Sequence, residues 1–387
     1  MNKLIILCCL LLGLSCTNAQ PPQVTAFTTT DPQPKKTDNP KHNVIQLALL
    51  LDVSNSMDGL IDQAKSELWS IVNEVSKASK NGHAAKLEIA LYEYGRQSLT
   101  LKNGYARKLL DYTSDLDTIS QVLFSLTTDG GEEYCGNVIR HSLDELKWQN
   151  NDSIYRVIFI AGNEPFNQGN TSYKTSCLAA SEKRIIINTI HCGDSATGVV
   201  EMWRDGARTG KGDYFFIDQN IRYVEIATPY DDAISDYNDS INSTYIAYGA
   251  SGMLYKDNQM RQDQNAMEMG TSSALKRTAS KSNRAVYSNT KWDAVDASIA
   301  DSTWITKAKD EELPTEMKGK TIVQKKAIIK QKEKSRTYYS KNIAQLSRDR
   351  EKYLQNNKGA NNERTLGAAL ISAIRKQAMA KGFEFIE

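Results

Sequence analysis

The stretch VIQLALLLDVSNSMDGL, residues 44–60, decides how this chain is read. Its first eight residues are almost continuously apolar, which suits a central strand covered on both faces. Asp52 breaks the run, and Asp52-Val53-Ser54-Asn55-Ser56 is short and polar. From there the apolar residues fall at Leu60, Ala64, Leu68, Ile71, Val72 and Val75, the spacing of an amphipathic helix lying on a sheet. A buried strand, a tight loop and a helix in succession open a doubly wound α/β unit.

Further along, residues 87–94 (LEIALYEY), 155–161 (YRVIFIA), 185–192 (IIINTIHC) and 213–217 (DYFFI) read as strands, with a short one at 108–112. Residues 116–126, 135–148 and 173–183 carry helical spacing, and Asn81-Gly82 reads as the end of the first helix. The alternation over residues 43–222 predicts a Rossmann-like, mostly parallel sheet with helices on both faces. Such sheets bind ligands beyond the carboxyl ends of their strands. Asp52, Glu132, Glu133, Asn163 and Glu164 all fall on that edge.

The motif D-x-S-x-S at Asp52, Ser54 and Ser56, placed between a buried strand and a helix, resembles the first metal-binding loop of von Willebrand factor A-type (vWA) domains. The segments LLLDVSNSMDGLIDQAK (49–65), GGEEYCG (130–136), FIAGNEPF (159–166) and ALISAIRKQAMAKGF (369–383) resemble those of bacterial exported vWA proteins. The resemblance covers residues 43–220. It implies a metal-ion-dependent adhesion site and a binding role. In the family a second loop adds a Thr and a third adds an Asp. Here Glu133 stands at the Thr position and Gly162 at the Asp position, so Asn163 or Glu164 must reach in instead.

The loop has a chemical logic of its own. Alternate residues of a tight loop point to one side, so a carboxylate and two hydroxyls converge as hard oxygen ligands for Mg²⁺, Mn²⁺ or Ca²⁺. The expected metal ligands are Asp52, Ser54, Ser56, Glu133 and Glu164. Three carboxylates around one ion would hold it tightly and repel an incoming acidic group. The bland alternative is that these residues only cap helices and bond loop amides.

The chain has 387 residues, 40% hydrophobic and 24% charged, with a formal net charge of +2. That balance gives no reason to expect a nucleic-acid partner. Residues 1–19 read as a signal peptide: Lys3 precedes an apolar run at 4–15 that is too short to span a bilayer. Cleavage before Gln20 and lipidation of Cys16 both fit, and membrane association is expected only in the second case. Residues 20–42 read as a flexible linker. Of six cysteines, Cys8, Cys9 and Cys16 lie in the leader; Cys135, Cys177 and Cys192 remain. In an exported protein the odd count suggests one disulfide, with Cys135–Cys177 a candidate, and one buried thiol.

Residues 223–310 read as a partly helical connector, within which 253–291 has no assignable pattern. Residues 311–387 read as a helical hairpin-like region: a basic polar helix at 318–352, then an amphipathic helix at 364–381. The basic helix is expected to present a solvated face. His191, Trp203 and Tyr214 are read as packing residues.

The expected function is therefore an exported, cell-envelope protein, non-enzymatic, that binds a divalent ion and meets a protein partner at the rim of the metal site. Two other classes fit the same residues. One is a metal-free scaffold of the same fold. The other is a metal-dependent hydrolase with Glu132 or Glu164 as base.

Overall fold

A computed structural model describes residues 43–100, 104–220, 225–357 and 365–385. The leader, the linker and Cys8, Cys9 and Cys16 lie outside the described residues.

The central strand β1 (Val44–Asp52) is buried along its whole length. It lies parallel to β4 (Lys86–Tyr94) on one side and to β6 (Tyr155–Gly162) on the other. β7 (Ile186–Cys192) and β8 (Lys211–Ile217) extend the sheet in parallel beyond β6, and β5 (Ala106–Thr113) closes the other edge in antiparallel. The order is β5-β4-β1-β6-β7-β8.

The alternation of side chains along β1 builds two cores. Ile45, Leu47, Leu49 and Leu51 face α1 (Asp58–Ser76), α2 (Leu116–Phe124) and α13 (Leu366–Met379). Ala48 and Leu50 face α3 (Cys135–Glu145), α4 (Tyr173–Glu182) and α6 (Trp203–Thr209). The short α5 (Ser195–Val200) leads from β7 into α6. Both faces of the central strand are covered, which is why the run 44–51 carries almost no polar residue.

After α1 the chain makes a small second sheet. Asn81 and Gly82 both take positive φ and turn β2 (Ala78–Lys80) into β3 (His83–Ala84), while β9 (Glu384–Phe385) pairs with β2 from the far end of the chain. Asn-Gly thus makes the two-residue hairpin turn that this pair favours rather than simply ending a helix.

Residues 231–356 form a layer of helices. These are α7 (Asp231–Asn242), α8 (Gly252–Glu268), α9 (Thr271–Ser282), α10 (Ala294–Ala300), α11 (Trp304–Lys307) and the long α12 (Ile322–Asn356). α9 packs on α1 and α8 on α2, so this layer sits against the sheet unit. The two last helices, read as arms of a hairpin, take different partners. α12 packs on α7, α9 and α10, whereas α13 returns to α1 and the sheet. There Gln63 accepts from the Leu366 amide at 2.8 Å and Glu74 accepts from Arg375 Nε at 2.7 Å. Gln377 exchanges amide hydrogen bonds with Asn188 at 2.7 and 3.0 Å and accepts from the Tyr155 hydroxyl at 2.8 Å.

The basic helix is not wholly solvated. Lys325, Arg336 and Arg350 are buried and paired with Asp310 (2.5 Å), Asp293 (2.7 Å) and Asp231 (2.9 Å). α12 starts in a capping box, in which Thr321 Oγ1 accepts from the Gln324 amide and Gln324 Oε1 accepts from the Thr321 amide. Thr321→Ala is expected to cost about 1 kcal/mol, read as a lowered midpoint in urea. An unchanged midpoint would show that the cap contributes nothing. Among the described residues no helix is long and apolar enough to cross a membrane.

The expectation of a disulfide is overturned. Cys135, Cys177 and Cys192 are all free and buried. Cys135 Sγ donates to the Tyr94 hydroxyl at 3.8 Å, and Cys177 sits in the core between α3 and α4. Burial pushes the Cys177 thiol up to about 12 and the other two well above their ordinary range. These thiols behave as small core residues.

Candidate metal centre

β1 ends at Asp52 on the carboxyl edge of the sheet, and the loop turns at once through a single 3-10 turn (Asn55–Met57) into α1. Asp52 is fully buried. Its Oδ1 accepts from the Ser54 amide at 2.8 Å, which fixes the carboxylate over the loop. Its Oδ2 is buried and has no hydrogen-bond partner. The Ser54 and Ser56 hydroxyls lie 3.5 Å apart, so the two alternate serines do converge. Asn163 reaches in from the third loop and donates from Nδ2 to Ser56 Oγ at 3.1 Å. Gln219, after β8, holds the Ser56 carbonyl at 2.9 Å.

Glu133 comes to the same place from the loop before α3. A Cβ built on Gly95 would lie 2.7 Å from Asp52 Oδ1 and 3.2 Å from Glu133 Cγ. Gly95 has φ +82°, so both its conformation and the space around it require glycine there. Burial lifts the Glu133 carboxyl to about 8, with the Asp52 and Glu164 charges adding to it. Burial also lifts Asp52 to about 6, against the hydrogen bond from Ser54, with the Glu164 charge pushing the same way. No cationic side chain is among the main influences on either group. Two buried carboxyls with no internal counter-charge need a proton or a bound cation.

Glu164 is near enough for its charge to act on both. Its own contacts face the loop: Oε2 accepts from Gln168 at 3.4 Å and its carbonyl accepts from Trp203 Nε1 at 2.9 Å. Glu132 lies on the rim, exposed. Among the described residues no three His, Cys, Asp or Glu side chains gather as a metal-holding group, so the donor set rests on Asp52 and the serine hydroxyls, with Glu133 beside them. An orphaned buried carboxylate oxygen and two converging hydroxyls suit a hard cation.

Tyr94, at the end of β4, was not singled out in the sequence. Its hydroxyl donates to the Ala161 carbonyl at 2.9 Å. A Cβ on Gly162 would run into that hydroxyl and would lie 2.9 Å from Asp52 Oδ2. Tyr94 therefore fills the volume that a side chain at position 162 would use. Its place at the carboxyl end of a strand beside β1 was the available signal. The packing readings agree with the structure: His191 and Trp203 are buried, their rings 5.8 Å apart, and Tyr214 donates to the Ser195 carbonyl at 3.1 Å.

A mostly parallel six-stranded sheet, one antiparallel edge strand and a D-x-S-x-S loop at the end of the central strand define a vWA-type α/β fold. No protein-family model and no curated protein matches the chain. Among solved structures it is similar to proximal thread matrix protein 1 from the mussel byssus, at 14% identity and TM-score 0.34, over 45% of this chain and 42% of that one. It is similar to BatB from Bacteroides thetaiotaomicron, at 18% identity and TM-score 0.34, over 50% of this chain and 96% of that one. It is also similar to the VWA domain of SpRpn10, at 16% identity and TM-score 0.34, over 44% and 87%. The chain thus spans less than half of the mussel protein's length.

Proposed function

We propose that this chain is an exported envelope protein that binds one divalent cation at Asp52, Ser54 and Ser56, with Glu133 alongside, and that the surrounding rim receives a protein partner. The observation that carries the cation reading is Asp52 Oδ2, fully buried and without a hydrogen-bond partner, next to two converging hydroxyls. A buried, unsatisfied carboxylate oxygen is costly, and a bound cation removes that cost. Export rests on the leader pattern at residues 1–19, and the role is binding rather than turnover.

The test is the thermal midpoint of the full mature chain after chelation, then with Mg²⁺, Mn²⁺ or Ca²⁺. A cation at about 100 times its dissociation constant adds roughly 2.7 kcal/mol of stability. The wild type is expected to show that gain with one of the three ions, and Asp52→Ala to lose it. No gain, together with no metal found in the untreated protein, would sink the cation reading. A second reading then leads, a metal-free scaffold in which Glu133 keeps its proton and pairs with Asp52; the raised Glu133 carboxyl is the observation that favours it.

A further inference from the structure

α8 is built inside out. The residues it buries are Gly252, Gln259, Gln262 and Ala266, whereas Met253, Leu254, Met260 and Met267 stand 61, 70, 49 and 50% exposed. A helix on a globular core normally turns its apolar stripe inward and its polar face to water. Here hydrogen bonds hold the polar face inward. Gln259 Nε2 donates to the Tyr287 hydroxyl at 2.9 Å, and the Gln259 carbonyl accepts from Arg277 Nη2 at 2.8 Å. α8 therefore cannot roll its methionines into the core without breaking the network around Arg277. Its apolar side is left for a contact from outside the chain.

The outer face has a pattern of its own. Met253, Met260 and Met267 follow one another at seven residues, two turns each time, so they form a line along the helix. Asp257 and Arg261 lie on the same side of that line. Both are exposed, and neither forms a hydrogen bond or an ion pair among the described residues.

The symmetry of this pattern selects the occupant. It is matched by a second α8 running antiparallel, related to the first by a two-fold axis at the level of Gln259. At 1.5 Å per residue, Asp257 lies about 3 Å to one side of that level and Arg261 about 3 Å to the other. A two-fold perpendicular to both helices brings like sides together, so each Asp257 faces the Arg261 of the other copy. The same axis sets Met253 about 9 Å below its level, Met260 about 1.5 Å above it and Met267 about 12 Å above it. In the other copy these heights are reversed. The methionines then alternate in steps of about 3 Å and interleave. One axis satisfies the apolar line and the unpaired charges together, which is what a self-complementary contact requires.

We propose that α8 is the seam of a symmetric, antiparallel homodimer, held by Met253, Met260 and Met267 and by two Asp257–Arg261 pairs. α8 has 17 residues and is about 25 Å long. One pair of such helices buries less than the roughly 800 Å² per partner of a standard interface. The dimer is therefore reversible, with a Kd on the order of 100 µM. The seam shares no residue with the cation loop, so neither reading depends on the other.

Sedimentation equilibrium of the full chain, from about 10 µM to about 1 mM, tests this. A monomer–dimer equilibrium is expected. Met260→Glu should abolish it, by setting two like charges at the centre of the seam. Asp257→Arg and Arg261→Asp should each weaken it at least about tenfold, since each sets like charges together at both ends of the pairing. Two further arms are specific to this arrangement. An equimolar mixture of the Asp257→Arg and Arg261→Asp proteins should associate about as tightly as the wild type, because the mixed pair restores both attractions. The doubly reversed Asp257→Arg/Arg261→Asp protein should recover self-association. All three positions are exposed, and far-ultraviolet dichroism confirms that each variant is folded. A wild type that stays monomeric at about 1 mM would overturn the proposal. So would a dimer that Met260→Glu leaves intact, or a mixture that associates no more tightly than its two components do alone.

Discussion

Gly162→Asp, which would restore the acidic residue that vWA domains carry in the third loop, is expected to destabilise this protein by about 3 kcal/mol rather than to improve its site. The new Cβ would meet the Tyr94 hydroxyl and lie 2.9 Å from Asp52 Oδ2. A carboxylate there also adds charge to a pocket where Asp52 and Glu133 are already pushed up by burial and by neighbouring carboxylates. The steric and the electrostatic parts separate in a series. Gly162→Ala should show the clash alone, and Gly162→Asp the clash plus repulsion. Tyr94→Phe, by removing the hydroxyl, should recover a large part of the loss when combined with Gly162→Asp, a departure from additivity that marks direct contact. Equilibrium urea unfolding measures each of these proteins. A Gly162→Asp protein as stable as the wild type would show that the third loop opens easily, and would undo the claim that Tyr94 fills the space a side chain at position 162 would use.

Arg277→Met is expected to be still more damaging, about 3–5 kcal/mol, because it strands buried carboxylates. The Arg277 guanidinium is fully buried, 4.7 Å from the Trp69 ring centroid on α1. It pairs with Asp117 of α2 at 2.9 Å and with Asp263 of α8 at 2.5 Å. Lys281 adds a second cation to Asp263 at 2.6 Å and is held by Asn238 and Asn242, each at 2.7 Å. Tyr287 donates to Asp117 at 2.6 Å. One guanidinium thus ties three helices of two layers together. Burial alone would raise the Asp263 carboxyl, but Lys281 and Arg277 hold it well below its ordinary 3.8. A carboxyl depressed in the fold contributes stability that is present above its unfolded pKa and is lost as pH falls below it. The wild type should therefore lose stability as the pH drops below about 3.8, and Asp263→Asn should flatten that slope. Urea midpoints from pH 2 to pH 7 read both effects. An Arg277→Met protein within about 1 kcal/mol of the wild type would mean that the network carries far less than a buried ionic cluster normally does.

The sheet and its metal loop were legible in the sequence because they are encoded locally. A strand buried on both faces must be apolar along its run, and the turn that follows it must be short, so residues 44–60 announce both. The strands at 87–94, 155–161 and 185–192 follow the same rule. Residues 253–291 did not, and the reason is visible in what they bury. Gln259, Gln262, Arg277 and Lys281 are inner residues of α8 and α9, so the faces that pack inward are polar and carry no apolar period. Their burial is tolerated only because Asp117, Asp263, Asn238 and Asn242 arrive to meet them, most of them from other elements.

The same distinction separates the two halves of the site. Asp52, Ser54 and Ser56 converge through the geometry of five consecutive residues, and Glu133 was placed by its family position. Tyr94 filling the space at Gly162, Asn163 reaching Ser56, and Gln219 bracing the loop depend on strands far apart in the chain. So does the return of α13 to the layer that α1 began, across all of residues 225–365. By itself the sequence determined which segments are buried strands and where the first oxygen ligands stand, because periodicity and loop chemistry act over a few residues. Only the tertiary structure decided which polar groups meet and which thiols stay apart, because those outcomes depend on partners that no local pattern specifies.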